Sequence, residues 1–150
     1  MVTVAISALF LGSVFTMNIS SMDATRCAKE STAAGQVLQQ RIESLRIANW
    51  QEVTSPNWVA ANILNTDALG AAPLKNLSET LTLVPYGSTT QGNTTLTRRG
   101  GNTTIVNSIP LVTENAVKVI WTLNFTGAPN NRAVTRQIVT ILAQGGVAKW

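Results

Sequence analysis

The sequence predicts an α+β fold in which one long N-terminal helix, apolar at first and then amphipathic, packs on a small antiparallel sheet. Three observations carry this prediction. Residues 1–22 contain no charged side chain and are mostly apolar. An amphipathic helical pattern follows directly, and no proline occurs before Pro56. The second half of the chain alternates apolar and polar residues between turn signals, as half-buried strands do.

Residues 1–22 are long enough to act as an anchor. At ~1.5 Å per residue they span ~33 Å as a helix, against ~30 Å for the hydrocarbon core of a bilayer. We therefore predict that they form the anchoring or assembly half of the helix, inside a membrane or a bundle of subunits. A cleavable signal peptide is the alternative, but it would start with Lys or Arg and end at a small-residue cleavage site. The side chains predicted to face lipid or neighbouring helices are Val2, Val4, Ala5, Ile6, Leu9, Phe10, Val14 and Phe15.

An amphipathic stripe continues the helix to about Asn49. Small and apolar residues recur there at spacings of three and four, which is the period of a helix face. The helix is expected to end between Asn49 and Pro56, since the residue before a proline resists the α conformation. Charged residues of this segment, including Glu30 and Arg41, fall largely off the stripe. The positions predicted to pack on the sheet are Ala24, Cys27, Ala34, Leu38, Ile42 and Leu45.

Three to five consecutive strands are predicted after residue 77, following a possible short helix around residues 58–64. Two short strands flank Gly100-Gly101, which is a hairpin signal. Two longer strands, with Trp121 in the inward-facing stripe of the first, are joined by the turn at residues 127–131. The predicted strands cover residues 80–84, 94–98, 103–109, 117–125 and 134–143.

The composition argues against catalysis. The chain has no histidine and one cysteine, which excludes triads that need His and zinc sites rich in Cys. The acidic residues outside the helix and its exit, Asp67, Glu79 and Glu114, lie far apart in the sequence. We predict no catalytic residue, no metal ligand and no cofactor. The net charge of +4 could attract an anionic phospholipid surface or nucleic acid, but the basic residues are scattered, which argues against nucleic acid as a partner.

The N-terminal run resembles that of a known family. Met1-Val2-Thr3-Val4-Ala5-Ile6, followed by Leu9, Phe10 and Val14, is similar to the hydrophobic N-terminal helix of type IV pilin-like proteins. The minor pilins and the minor pseudopilins of type II secretion are the most similar in character. The order of a helix followed by an antiparallel sheet is also the pilin order. The prepilin cleavage site and the glutamate typical of the family would lie upstream of Met1.

The resemblance implies a structural subunit of a type IV pilus-like or type II secretion filament. Its partners would be other pilin or pseudopilin subunits, the membrane before assembly, and a prepilin peptidase if a leader precedes Met1. Residues 23–150 would form the pilin-like globular domain, with Gly12 as a point of local unwinding during assembly. The implied location is the bacterial inner membrane, crossed once, with the domain periplasmic or extracellular in a filament.

A membrane-anchored extracytoplasmic module is the competing class. Such a β-rich module would bind a glycan or a protein through its Asn- and Thr-rich residues 88–107. A tethered module usually has a polar linker after its anchor. A helix continuous through residues 22–28 therefore favours a filament subunit, whereas a break there favours the tethered module.

Overall fold

The computed structural model describes the backbone of residues 2–145 and the side chains of residues 3, 6, 7 and 10–145. It confirms the α+β class: one long helix lies on an antiparallel sheet with strand order β3-β2-β1-β4-β5. The helices are α1 (Val2–Ile47), α2 (Trp50–Val53) and α3 (Pro56–Val59), followed by a π-helical turn (Ala60–Leu64). The strands are β1 (Lys75–Pro85), β2 (Thr94–Arg99), β3 (Asn102–Asn107), β4 (Ala116–Gly127) and β5 (Arg132–Ala143).

Helix α1 ends at Ile47 because the chain starts a new helix immediately afterwards. The Asn49 side chain accepts a hydrogen bond from the Glu52 N–H at 3.2 Å, and the Glu52 carboxylate accepts one from the Asn49 N–H at 2.9 Å. This reciprocal pair is a capping box, which satisfies backbone donors at the start of α2. Ser55 then caps α3, with Pro56 in its first turn. Sequence periodicity predicted the end of α1 to within a few residues.

Asn49→Ala is expected to lower the free energy of unfolding by about 1 kcal/mol, the usual cost of losing an N-cap side chain. The Glu52 carboxylate would keep its bond to the backbone, so α2 should persist. Chemical denaturation of the full chain measures the change. Asn49→Asp, which retains a capping oxygen, serves as the control and should restore most of the loss. An equal loss in both variants would contradict the capping role.

The two predicted hairpins are both present. Gly100 and Gly101 have φ values of 57° and 83°, as both central residues of a two-residue hairpin turn of the primed type require. Arg99 pairs with Asn102 directly across this turn. β4 and β5 pair along their whole length, from Ala116 opposite Ala143 to Gly127 opposite Arg132.

β1 is longer than the sequence predicted. It starts at Lys75 rather than at residue 80 and pairs with both β2 and β4. Its inward-facing positions include Glu79, which is completely buried. A charged residue at an inward position interrupts the apolar alternation by which a strand is recognised, so the pattern became visible only after Glu79.

The core lies between the second half of α1 and one face of the sheet. Ala34, Leu38, Ile42 and Leu45 are buried there, and Trp121 on β4 is fully buried opposite them. α2, α3 and the π-helical turn close the core with Val53, Val59, Ile63 and Leu64. The sheet contributes Leu81, Leu83, Leu96, Val117, Val119, Leu123 and Phe125.

The contact between α1 and the sheet begins later along the helix than the stripe predicted. Ala24 is exposed, so its predicted packing is wrong, and Cys27 is only half-buried. Full burial starts at Glu30, close to the β4–β5 turn, because Ala24 already lies beyond the end of the sheet. Glu30 and Arg41, predicted to lie off the stripe, are buried on it. Their burial is made possible by hydrogen-bond partners.

Candidate functional site

The first half of α1 projects from the domain and exposes apolar side chains. Eight large ones, on residues between 6 and 22, are 41–76 % exposed. They include Ile6, Phe10, Val14 and Phe15, which the sequence assigned to the anchor. The side chains of Val2, Val4, Ala5 and Leu9 lie outside the described residues. The exposed set is Ile6, Phe10, Leu11, Val14, Phe15, Met17, Ile19 and Met22.

Two polar side chains of this projecting half, those of Ser13 and Thr16, bond to the helix backbone. Thr16 Oγ1 donates to the carbonyls of Gly12 and Ser13 at 3.0 and 2.9 Å, and Ser13 Oγ donates to the Phe10 carbonyl at 2.7 Å. A hydroxyl that bonds its own helix backbone does not need water. These two hydroxyls are therefore suited to apolar surroundings. Gly12 itself is helical in the structure.

The helix continues without interruption through residues 22–28, where the amphipathic half begins. Thr25 Oγ1 donates to the Ser21 carbonyl at 2.9 Å across this junction. Within the part of the chain that the structure describes, no helix combines the length and the apolar character needed to cross a membrane.

A set of contacts fixes α1 where it leaves the sheet. Glu30 Oε2 accepts a hydrogen bond from the Ala128 N–H at 2.8 Å, and Arg136 Nη2 donates to Ser31 Oγ at 3.2 Å. Arg132 Nη2 lies 3.6 Å from Cys27 Sγ. A Cβ on Gly127 would lie 3.1 Å from Glu30 Oε2 and 2.9 Å from a Val134 methyl, so glycine permits this close approach. These contacts set the direction in which the projecting half of α1 leaves the domain.

A buried ion cluster joins α1 to the sheet further along the helix, away from the end at which α1 projects. Arg41 Nε and Nη2 each lie 2.9 Å from a Glu79 carboxylate oxygen, a bidentate pair. Arg98 Nη1 donates to Glu79 Oε1 at 3.0 Å, and Arg98 also binds Asp67. Arg41 further donates to the Thr66 carbonyl at 2.8 Å. The cluster connects α1, β1, β2 and the loop after the π-helical turn.

Sequence patterns did not predict this cluster. Its four members are separated by at least a dozen residues each and fit no local motif. The one available signal was Glu79 at an inward position of an otherwise apolar strand, since a buried carboxylate requires a cationic partner. A cleft of about 710 Å³ next to the cluster is bordered by Asn76, Arg99 and the loop at residues 67–72. The most buried charged side chain that borders it, Arg98, already bonds to Asp67 and Glu79.

Half of the large apolar side chains that are exposed among the described residues lie on the projecting half of α1, which continues into the packed half without a break. Each buried charged side chain of the described part has at least one hydrogen-bond partner. Comparison with protein-family models, with curated proteins and with solved structures finds no match to this chain.

Proposed function

We propose that the chain is a structural subunit of a type IV pilus-like or type II secretion filament, a minor pilin or pseudopilin in character. It assembles through the projecting half of α1. The observation that carries the proposal is the uninterrupted helix, 46 residues long, whose second half is packed on the sheet while its first half exposes apolar side chains. The resemblance of residues 1–14 to pilin-like N-termini supports the same assignment.

The exposed side chains supply the driving force for assembly. Burying one large apolar side chain contributes about 1.5–3 kcal/mol, and eight such side chains are exposed on residues 6–22. Association costs roughly 4–15 kcal/mol of lost motional freedom, which burial of several of these side chains offsets. A bundle of such helices joins different surfaces of successive subunits, and heterologous contacts of this kind extend into open filaments.

Before assembly, residues 1–22 would sit in the bacterial inner membrane, with the domain on the periplasmic side. This stage of the proposal rests on the sequence of residues 1–22, including those whose side chains lie outside the described part. A prepilin peptidase would be a further partner if a leader precedes Met1. The continuous helix at residues 22–28 supports a filament subunit over a tethered module, since a tether would be separated from its domain by a flexible segment.

Phe15→Asp is expected to remove the chain from filaments. A carboxylate on the projecting half would have to be buried among apolar helices, which lowers incorporation at least about tenfold. Ile47→Asp is the matched control, because Ile47 is an exposed apolar residue at the other end of the same helix. Filaments sheared from native cells, compared with the cell fraction by immunoblot, measure incorporation.

Two outcomes would contradict the proposal. The unmodified chain would be absent from the sheared filaments, or the Phe15→Asp chain would enter them as readily as the Ile47→Asp chain. Mass spectrometry of the mature N-terminal peptide tests prepilin processing independently. A chain that starts with a methylated phenylalanine several residues before Met1 supports prepilin processing, whereas cleavage near Ala24 contradicts it.

A further inference from the structure

The fold gathers basic residues that are scattered in the sequence. Five exposed cations lie at the end of the domain from which α1 projects, and we call them the basic collar. Two are on α1, just after its apolar half. The others are at the start of β1, beside the β2–β3 turn and beside the β4–β5 turn. The members of the basic collar are Arg26, Lys29, Lys75, Arg99 and Arg132.

The acidic residues at this end compensate the basic collar only in part. Glu30 is buried and accepts the Ala128 N–H, and Asp67 binds Arg98. Asp23 is half-buried beside Arg26. The opposite end of the domain carries Glu43, Glu52 and Glu114 with Arg46 and Lys118, so it is close to neutral among the described residues. The molecule therefore has a basic end, and that end is the one from which the apolar helix emerges.

The basic collar adjoins apolar surface directly. Exposed Met22 lies one helical turn before Arg26, and a shallow groove on α1 is bordered by Met22, Thr25, Arg26 and Lys29. If residues 1–22 fill the ~30 Å hydrocarbon core, Arg26 and Lys29 lie about 6–10 Å beyond residue 22 along the helix. The headgroup layer extends about 5–8 Å beyond the hydrocarbon core on each side, so Arg26 lies within it and Lys29 lies at its outer edge. Cations immediately outside an apolar segment of membrane length match an anionic lipid rather than a free anion.

We propose that the basic collar binds the anionic headgroups of a phospholipid membrane and holds the base of the domain against it before the subunit enters a filament. The inference rests on the membrane stage of the proposed function. Each Lys or Arg close to an anionic membrane surface raises partitioning by a factor of about five. The attraction weakens with salt, because the charges are exposed and are screened over a Debye length.

The test uses the full chain, delivered from detergent into a mixture of two vesicle types that differ in density. One type contains phosphatidylcholine alone, and the other contains phosphatidylcholine with phosphatidylglycerol. We expect the unmodified chain to favour the anionic vesicles by more than about 25-fold at low salt. The double variant Arg26→Gln, Lys75→Gln should lose about 25-fold of that preference. The matched control Arg46→Gln, Lys118→Gln removes the same charges from the opposite end and should change it less than about twofold.

Each other outcome is decisive. Equal recovery of the unmodified chain in both vesicle types overturns the binding of anionic headgroups by the basic collar. It leaves the membrane anchor of residues 1–22 unaffected. No recovery in either type overturns both the anchor and the inference built on it. A preference that the two double variants lose equally shows that net charge, not the basic collar, is responsible. Loss of the preference when inorganic phosphate is added at constant ionic strength shows a site for a small anion and also overturns the proposal.

Discussion

Glu79→Ala is expected to lower the free energy of unfolding by about 3–5 kcal/mol, because it leaves two buried arginines without their shared counter-charge. Arg41 and Arg98 both bond to this carboxylate, and Arg41 is 2 % exposed. Thermal unfolding of the full chain in a non-ionic detergent should show a decrease in Tm of about 6–20 °C. Hydrogen exchange should report loss of protection first near the C-terminal end of α1, where Arg41 lies.

Two further variants separate the buried cluster from ordinary surface charge. Glu43→Ala removes the partner of Arg46 in a pair that is about half exposed, and should change stability by less than about 1 kcal/mol. Replacing Arg41 and Arg98 by Met together with Glu79→Leu removes all the buried charges of the cluster at once. This triple variant should recover most of the stability that Glu79→Ala loses, since apolar substitutes of similar volume avoid the desolvation cost. A small effect of Glu79→Ala would show that water reaches the arginines.

Trp121→Ala should have an effect of similar size, about 3–5 kcal/mol, through the cavity that it leaves in the core. Trp121 is completely buried between α1 and the sheet, and the Arg41 guanidinium carbon lies 6.0 Å from its ring centroid. The substitution therefore removes packing volume and also a ring face beside a buried cation. Denaturant titration of the full chain measures the loss.

Trp121→Phe provides the informative comparison. Among the described residues, the Trp121 indole N–H has no hydrogen-bond acceptor, although it is buried. A buried donor without a partner costs about 1–3 kcal/mol, and phenylalanine removes that donor while keeping an aromatic ring. We expect Trp121→Phe to cost less than about 1.5 kcal/mol. A loss as large as that of Trp121→Ala would mean that the indole N–H is bonded in solution.

Local patterns were sufficient to predict the architecture. The apolar run, the spacing of three and four residues after it, and Gly100-Gly101 between two alternating segments each depend on neighbouring residues alone. Such signals survive folding, because a helix face or a hairpin turn is defined within a few residues. For the same reason Leu38, Ile42, Leu45 and Trp121 could be assigned inward-facing positions before their partners were known.

Features that depend on distant partners could not be predicted in this way. Glu30 and Arg41 were predicted to lie off the packed stripe, because charge normally marks the exposed side of a helix. Each is instead buried against a group remote in sequence. Ala24 was predicted to pack on the sheet because the stripe of small and apolar residues extends past the end of the sheet. Periodicity alone does not locate that end. The basic collar is a further case, since strand turns bring Lys75, Arg99 and Arg132 to the place where α1 emerges.

The continuity of α1 has a mechanical consequence. Cys27 lies beside Arg132 and Ser31 beside Arg136, so α1 runs in the same direction as β5. A pull on the N-terminal half acts along the helix axis and loads its contacts with the sheet in shear. The Glu30–Ala128 bond, the Arg41–Glu79 pair and the apolar packing then bear tension together instead of failing one after another. The helix transmits the force directly to the domain, because no flexible linker that would first have to extend separates its two halves.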